Sequence, residues 1–348
     1  MSGGVDSSVV AGLLVEQGYN VVGMMLRLWN DVACDAENRC CTPESVAEAQ
    51  RVARKFGFPF FTIDAKDRFY NAVVKTFLNG YKQGITPNPC LTCNAAVRWK
   101  VLLDEALASG AQFLATGHYA QLLQDNTSKV HLHKGLDSSK DQSYVLSFLS
   151  QTDLSHTYFP LGNMTKVEVR EHARRFGLEV AEKPDSQDLC FLGAGTLQSF
   201  LQRHAAEALT QGPIRLPDGT PLGTHEGLAA YTIGQRKGIG LAAPRPLYVI
   251  EKNLKDNTLI VGFEEHLGRK TFQVHAAQWL CEKPAAFPFS CEVKTRYKAK
   301  PMACVVEPLN DDTLFVTTAE PQRDITPGQG AVFYSNTEVL GSGLISTF

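Results

Sequence analysis

The spacing of apolar positions changes about halfway along the chain. In the first half, strand-like apolar runs alternate with stretches of helical length. Val9-Val10-Ala11-Gly12-Leu13-Leu14 reads as helix and stops at Gln17-Gly18, and residues 19–26 read as a buried strand. Thr42-Pro43-Glu44 opens a helix with an N-cap and a proline at its first position, and Val46, Ala49, Val52, Ala53 and Phe56 share one face of it. Residues 59–64 form the next strand, a long amphipathic helix runs to Gln83-Gly84, and residues 112–116 give a strand ending at Gly117-His118-Tyr119. Strands alternating with helices predict a parallel sheet, whose ligands lie at the carboxyl ends of the strands.

Past residue 195 the texture becomes short β-branched runs, at 247–252, 258–262, 291–297, 303–306 and 314–318, broken by Pro-Asp-Gly, Lys-Asp-Asn and Asn-Asp-Asp turns. Without long helices to cover a sheet, small barrels are the expected packing. The predicted class is α/β: a parallel-sheet domain over 1–195, a small mostly-β adaptor over 196–265 and a C-terminal β-barrel over 266–348.

Composition narrows the function classes. The 348 residues suit two or three domains better than one core. Lys plus Arg number 34 and Asp plus Glu 36, a net charge of −2, so a polyanion partner has to meet a local basic patch. Hydrophobic residues at 44% and charged residues at 20% exclude wholesale disorder, and no apolar run approaches the roughly 18 residues of a membrane span. The nine cysteines are odd in number and follow no secretory signal. A reducing, cytoplasmic setting is therefore expected, with an organellar one left open.

The first residues carry the first candidate chemistry. Ser2-Gly3-Gly4-Val5-Asp6-Ser7-Ser8 is a glycine-rich turn feeding a helix. Its backbone N–H groups, hydroxyls and helix dipole make an anion cradle suited to phosphate. No lysine is embedded in it, which separates it from the Walker loop, and the Gly-x-Gly-x-x-Gly dinucleotide pattern is absent too. The plain alternative is a turn in which Asp6 or Ser7 caps the helix.

Thr86-Pro87-Asn88-Pro89-Cys90-Leu91-Thr92-Cys93-Asn94 sets two thiols in a proline-stiffened loop just before a helix, where the helix N-terminus favours a thiolate. Cys190 lies in the polar loop Lys183-Pro184-Asp185-Ser186-Gln187-Asp188-Leu189-Cys190-Phe191. Cys34, Cys40 and Cys41 fall in a loop over 31–41, and Cys281, Cys291 and Cys304 alternate with apolar residues in the β half, where core packing accounts for them.

The Ser2–Ser8 loop resembles the pyrophosphate loop of the N-type ATP pyrophosphatases. In those enzymes the loop follows a buried strand. Nothing precedes Met1, so the expectation is a domain whose first strand is missing. With Thr-Pro-Asn-Pro-x-x-x-Cys-Asn, Ala-Thr-Gly-His-Tyr, Lys140-Asp141-Gln142-Ser143-Tyr144, Asp185-Ser186-Gln187-Asp188-x-Cys-Phe, Thr232-Ile233-Gly234-Gln235-Arg236-Lys237-Gly238, Lys294-Thr295-Arg296-Tyr297 and Pro327-Gly328-Gln329, nearly the whole chain closely resembles the tRNA-specific 2-thiouridylase family.

The resemblance implies ATP-dependent conversion of the wobble uridine of tRNA to 2-thiouridine, with AMP and pyrophosphate released. It assigns ATP to Ser2, Gly3, Gly4, Val5, Asp6, Ser7, Leu26 and Gly117, with Mg²⁺, and the target base to Asn88, Pro89 and Cys90. Cys93 is the implied nucleophile and Cys190 the persulfide carrier. His118, Lys140, Asp141, Gln142, Arg296, Tyr297 and Gln329 are the implied tRNA contacts. The implied partners are tRNA of the Lys, Glu and Gln isoacceptors and an upstream sulfur donor, a cysteine desulfurase or relay protein.

Many family members carry Asp where this chain has Cys90. That departure leaves two readings open: persulfide transfer through Cys93 and Cys190, or a 4Fe–4S cluster held by Cys90, Cys93 and Cys190. Two other functions stay open beside thiolation. One is a different pyrophosphate-loop ligase or amidotransferase, which needs neither Cys93 nor Cys190; the other is an inactive tRNA-binding relative. Arg170, Arg174 and Arg175 on one predicted helix, Arg236-Lys237, and the cations of 294–300 on one face of a strand are expected to track phosphates.

Overall fold

The computed structural model describes residues 1–29, 31, 42–184, 189–192, 195–323 and 325–346. Cys34, Cys40, Cys41 and the Asp185-Ser186-Gln187-Asp188 motif lie outside the described residues. The chain divides into two compact units. The first takes Met1–Val73, Cys90–Ala194 and Thr337–Leu340; the second takes Val74–Pro89, Gly195–Asn336 and Gly341–Phe348.

In the first unit, α1 (Val5–Glu16) is apolar on nearly every side and buried accordingly. It packs through Val9, Val10 and Leu13 into a core shared with Val52 and Ala53 of α2 (Pro43–Phe56) and with Val169 and Ala173 of the helix Lys166–Arg175. Thr42 caps α2 as expected, its hydroxyl accepting from Ser45 N at 3.1 Å with Pro43 at the first helical position. The strands β1 (Gly23–Arg27) and β2 (Phe60–Asp64) pair in parallel from Gly23↔Phe60 to Arg27↔Asp64. After β3 (Leu114–Ala115) come an antiparallel hairpin of β4 (Ala120–Gln124) and β5 (Val130–Lys134), and then β6 (Thr157–Tyr158), which pairs in parallel with β3. The parallel character matches the sequence pattern. The described strands nevertheless form two separate parallel pairs, β1–β2 and β3–β6, and no single sheet.

In the second unit, β7 (Gly212–Arg215), β8 (Pro221–His225), β9 (Tyr248–Asn253) and β10 (Thr258–Gly262) form one sheet in the order β8-β7-β10-β9. Ile214, Val249, Leu259 and Val261 supply its core. The rest is a six-stranded barrel of β11 (Arg269–Trp279), β12 (Phe289–Lys294), β13 (Met302–Pro308), β14 (Leu314–Gln322), β15 (Gly330–Ser335) and β16 (Glu338–Ile345). Its order is β11-β14-β13-β12-β15-β16, and antiparallel pairing of β11 with β16 between Val274↔Ile345 and Trp279↔Gly341 closes it. Beyond the barrel, β16 also pairs with β5 at Glu338↔His133, which joins the β4–β5 hairpin to the same sheet. The adaptor sheet and terminal barrel expected from the short β-branched runs are both present.

One sequence expectation fails here. The sequence pattern predicts a strand over 291–297 with the cations of 294–300 on one face, yet β12 ends at Lys294 and residues 295–299 turn. Lys294 is buried against the Tyr334 ring, 5.9 Å from its centroid. Arg296 is half-buried, and Lys298 and Lys300 are exposed. The four cations therefore fall into three different environments: buried, half-buried and, for Lys298 and Lys300, exposed. The closed barrel draws Lys294 inward, and the turn that follows breaks the alternation.

Candidate functional site

Gly3 adopts φ +68°, and a Cβ there would meet Ser45 O at 2.6 Å, so only glycine fits the turn. Gly4 is the N-cap of α1, and no side chain caps the helix. Asp6 and Ser7 thus do not take the capping role that the plain-turn alternative gave them. The hydroxyls turn back on the loop: Ser8 Oγ donates to Gly4 O at 2.8 Å, and Ser7 Oγ accepts from Ser2 N at 3.1 Å. The first-turn N–H groups of α1 are left for a ligand, and the helix dipole favours an anion there.

The loop opens on a cavity of about 740 Å³. Ser2, Asp6 and Ser7 line it together with Met24–Leu26 from β1, Leu114–His118 from the end of β3, and Arg98 and Gln142. The same cavity is lined by Val10, Ala11 and Leu14 of α1, and it runs along β1 from Gly23 to Leu26 and along the whole of β3 as well as past the end of β3. Leu26 and Gly117, both assigned to the nucleotide, lie on this wall. A Cβ on Gly117 would meet Asp6 Cβ at 2.9 Å and Ser7 N at 3.0 Å, so glycine is what lets the β3 loop come against the phosphate loop.

The sequence offered no lysine within the loop, but the fold brings one from far along the chain. Lys166 Nζ lies 2.6 Å from Asp6 Oδ1, and Tyr119 Oη donates to the same oxygen at 2.8 Å. Lys183 Nζ donates to Gly3 O at 3.2 Å and pairs with Glu48 at 2.6 Å. No local signal in the sequence ties either lysine to this loop. Lys166 follows the helix cap Thr165, whose capping box with Glu168 fixes where the helix starts and hence where Lys166 points.

His118 sits on the cavity wall with Nδ1 2.9 Å from Thr116 Oγ1 and its ring against Trp99 and Phe159. Burial, with the Arg98 charge adding to it, lowers its pKa to about 3. It is a neutral hydrogen-bonding group and carries no charge to offer a phosphate. Gln142 is tied to the same region by its Oε1 accepting from Tyr119 N at 3.0 Å. Asp141 Oδ1 accepts from Gly135 N and Ser143 N at 3.1 and 3.0 Å, which holds the Lys140–Gln142 turn in place.

Cys90 and Cys93 occupy one short helix, Pro89–Cys93, with Cys90 exposed and Cys93 buried. The helix continues without a break into the π-wound segment Asn94–Trp99, and Asn94 Nδ2 donates to Val145 O at 2.9 Å, locking the turn after Cys93. Cys190 is half-buried in a turn anchored by Phe191, whose ring lies 5.9 Å from that of Phe69. All three cysteines belong to the unit that holds the phosphate loop.

Asn88, Pro89, Arg296, Tyr297 and Gln329 belong to the second unit. Gln329 Nε2 donates to Thr86 O at 2.7 Å, Thr86 N donates to Pro327 O at 2.9 Å, and Asn88 N donates to Gly328 O at 3.2 Å. Pro327-Gly328-Gln329 therefore clamps the backbone that carries Asn88. Arg296 Nη2 donates to Ile233 O at 3.0 Å and to Thr326 Oγ1 at 2.6 Å, while its buried Nε has no partner. Tyr297 is exposed. The arginine cluster expected to track phosphates is otherwise engaged. Arg170 donates to Ala181 O and Lys183 O, Arg174 pairs with Glu182, and Arg175 pairs with Glu16.

Three family models cover the chain in order: a tRNA methyl transferase HUP domain over residues 1–194, a tRNA methyl transferase PRC-barrel domain over 198–263, and an aminomethyltransferase beta-barrel domain over 269–345. Among relatives, tRNA-specific 2-thiouridylase MnmA of Magnetococcus marinus is 43% identical over 347 residues, covering 99% of this chain and 97% of that one. The proteins of the same name from Heliobacterium modesticaldum and Symbiobacterium thermophilum are 43% and 41% identical, each over 99% of this chain and 91% and 90% of theirs. Fold and comparisons thus define an α/β domain followed by two β domains, of the tRNA-modifying type. The chain belongs to the tRNA-specific 2-thiouridylase family.

Proposed function

We propose that this chain is a tRNA-uridine 2-sulfurtransferase that converts wobble uridine to 2-thiouridine in the cytoplasm, on tRNAs of the Lys, Glu and Gln type. The observation that carries the reading is the uncapped N-terminus of α1, with Ser2, Asp6 and Ser7 on the wall of the 740 Å³ cavity, in the same unit as Cys93 and Cys190. The division of labour follows 1–195 for adenylation and sulfur transfer, 196–265 as adaptor and 266–348 for tRNA.

The α1 N–H groups and Ser2–Ser7 hold the departing pyrophosphate of ATP, and Leu26 and Gly117 border the nucleotide. Asp6 and the loop hydroxyls are hard oxygen donors that suit Mg²⁺, which when bound neutralises phosphate charge. Uridine O2 attacks the α-phosphorus and pyrophosphate leaves, so C2 then carries a good leaving group. The terminal sulfur of a Cys190 persulfide attacks C2 and AMP departs. Cys93 thiolate then attacks Cys190 Sγ, the S–S bond to the transferred sulfur breaks, and sulfur stays on uridine with the electron pair. A Cys93–Cys190 disulfide remains, and an external dithiol reduces it. A cysteine desulfurase or relay protein reloads Cys190. Asn88, Pro89 and Cys90 border the target base.

A second reading is favoured by one observation. Cys90 stands one helical turn from Cys93, at positions that share a helix face, and with Cys190 supplies the three thiolates that suit a 4Fe–4S cluster. Anaerobic reconstitution separates the two: visible absorption lost in Cys90→Ala supports the cluster, and full thiolation by Cys90→Ala with a persulfide donor supports sulfur relay. The function itself is tested by tRNA-dependent ATP–pyrophosphate exchange and by mass spectrometry of wobble uridine. Exchange without tRNA would indicate a ligase, and no exchange at all would indicate an inactive tRNA-binding relative.

A further inference from the structure

Two cysteines with no part in that chemistry face each other inside the barrel. Cys291 of β12 and Cys304 of β13 are direct partners in the antiparallel register, and their sulfurs are 3.6 Å apart. Residues directly opposed in such a pair keep their Cα atoms about 4.5–5.5 Å apart, inside the range of about 4.4–6.8 Å that a disulfide requires. The sulfurs need only close to about 2.05 Å, within reach of a small side-chain rotation. The alternation of the strands sets Cys291 on the same face as Phe289 and Val293, and Cys304 on the same face as Met302 and Val306. Cys304 is 5% exposed and Cys291 half-buried, so an oxidant reaches Cys291 first.

We infer that Cys291 and Cys304 form a reversible cross-strand disulfide when the protein meets a low-molecular-weight disulfide such as oxidised glutathione. Cys291 Sγ gives up its proton and attacks one sulfur of the small disulfide; that S–S bond breaks, and one small thiol leaves with the proton. Cys304 Sγ gives up its proton and attacks Cys291 Sγ, which expels the second small thiol. Two protein thiols are oxidised and one small disulfide is reduced to two thiols, with no other reactant. The hydrogen bond with Cys304, with burial behind it, pushes the Cys291 pKa up. Thiolate is therefore scarce at neutral pH, and the exchange is slow there and faster in alkali. The bond would fix β12 to β13, and β12 leads directly into the turn that bears Arg296 and Tyr297.

The test uses the full chain. It is incubated with oxidised glutathione until exposed Cys90 has reacted, unfolded in excess alkylating reagent, digested and mapped by mass spectrometry without reduction. The expected result is a linked pair of peptides bearing Cys291 and Cys304, two hydrogens lighter than the sum of the free peptides and released by dithiothreitol. Its rate of formation should rise about tenfold for each pH unit. In Cys291→Ser, Cys304 should be recovered alkylated. Recovery of both cysteines alkylated from the unsubstituted chain would overturn the inference, as would linkage of Cys291 to any cysteine other than Cys304.

Discussion

Lys166 Nζ and Asp6 Oδ1 are 2.6 Å apart although the residues stand 160 positions apart in sequence, and Lys166 is 9% exposed. The pair lends the phosphate loop the cation that its own residues lack. Lys166→Met removes that cation at nearly constant size. It should lower kcat/KM for ATP in tRNA-dependent pyrophosphate exchange by about tenfold to a hundredfold, the scale of a charge-assisted hydrogen bond of ~1.5–3 kcal/mol. Unchanged exchange would show that the pair serves only to hold the fold.

Gly117→Ala places a methyl group 2.9 Å from Asp6 Cβ and 3.0 Å from Ser7 N. Overpacking of this kind costs about 1–3 kcal/mol. Because the atoms it meets belong to the phosphate loop, the expected effect is an ATP dissociation constant raised about tenfold with circular dichroism retained. Calorimetric titration with ATP measures it, and normal affinity would mean that the loop yields freely.

His118 and His131 should respond to pH in opposite directions. Burial lowers the pKa of His118 to about 3, below its unfolded value of about 6.5. Between those values the unfolded chain binds the extra proton, so this residue makes the fold less stable as pH falls. NMR of labelled imidazole should show no titration of His118 from about pH 5 to pH 8; a midpoint near 6.5 would refute its enclosure.

His131 bridges two carboxylates, with Nδ1 2.6 Å from Glu338 Oε1 and Nε2 3.2 Å from Asp125 Oδ2. The Glu338 hydrogen bond, with the Asp125 contact behind it, raises its pKa. Its contribution is full below the unfolded value of about 6.5 and is lost as pH rises through the higher folded value. His131→Gln should therefore lower the melting temperature more at about pH 6 than at about pH 8. Equal losses at both would sink the assignment.

The family resemblance implies that Gln329 contacts tRNA, and in the fold its side-chain amide donates to Thr86 O. Gln329→Ala should loosen the clamp on the segment bearing Asn88. The expected cost is about 1 kcal/mol, roughly a fivefold rise in KM for tRNA, with the salt dependence of tRNA binding unchanged. A shallower salt slope would return Gln329 to the phosphate surface.

Much of the first unit could be read from local signals. Thr42-Pro43 announces the start of α2, the unbroken apolar run of α1 announces a buried helix, and Ser2–Ser8 announces an anion loop, because capping, periodicity and glycine conformations act within a few residues. The basic tracts are silent on their partners for the same local reason. Charge spacing along 294–300 or on the helix Lys166–Arg175 says nothing of which backbone carbonyls and carboxylates other segments will bring.

The sequence by itself determined the order of the α/β and β parts and marked out the glycine-rich Ser2–Ser8 turn and the candidate thiols Cys90, Cys93 and Cys190, since each rests on short-range chemistry. Only the tertiary structure decided that Lys166 and Tyr119 complete the loop around Asp6, that Pro327-Gly328-Gln329 clamps the Asn88 segment, and that Cys291 faces Cys304. Those relationships join residues 13 to 243 positions apart. They depend on which strands and helices pack together, and no local pattern of polarity encodes that.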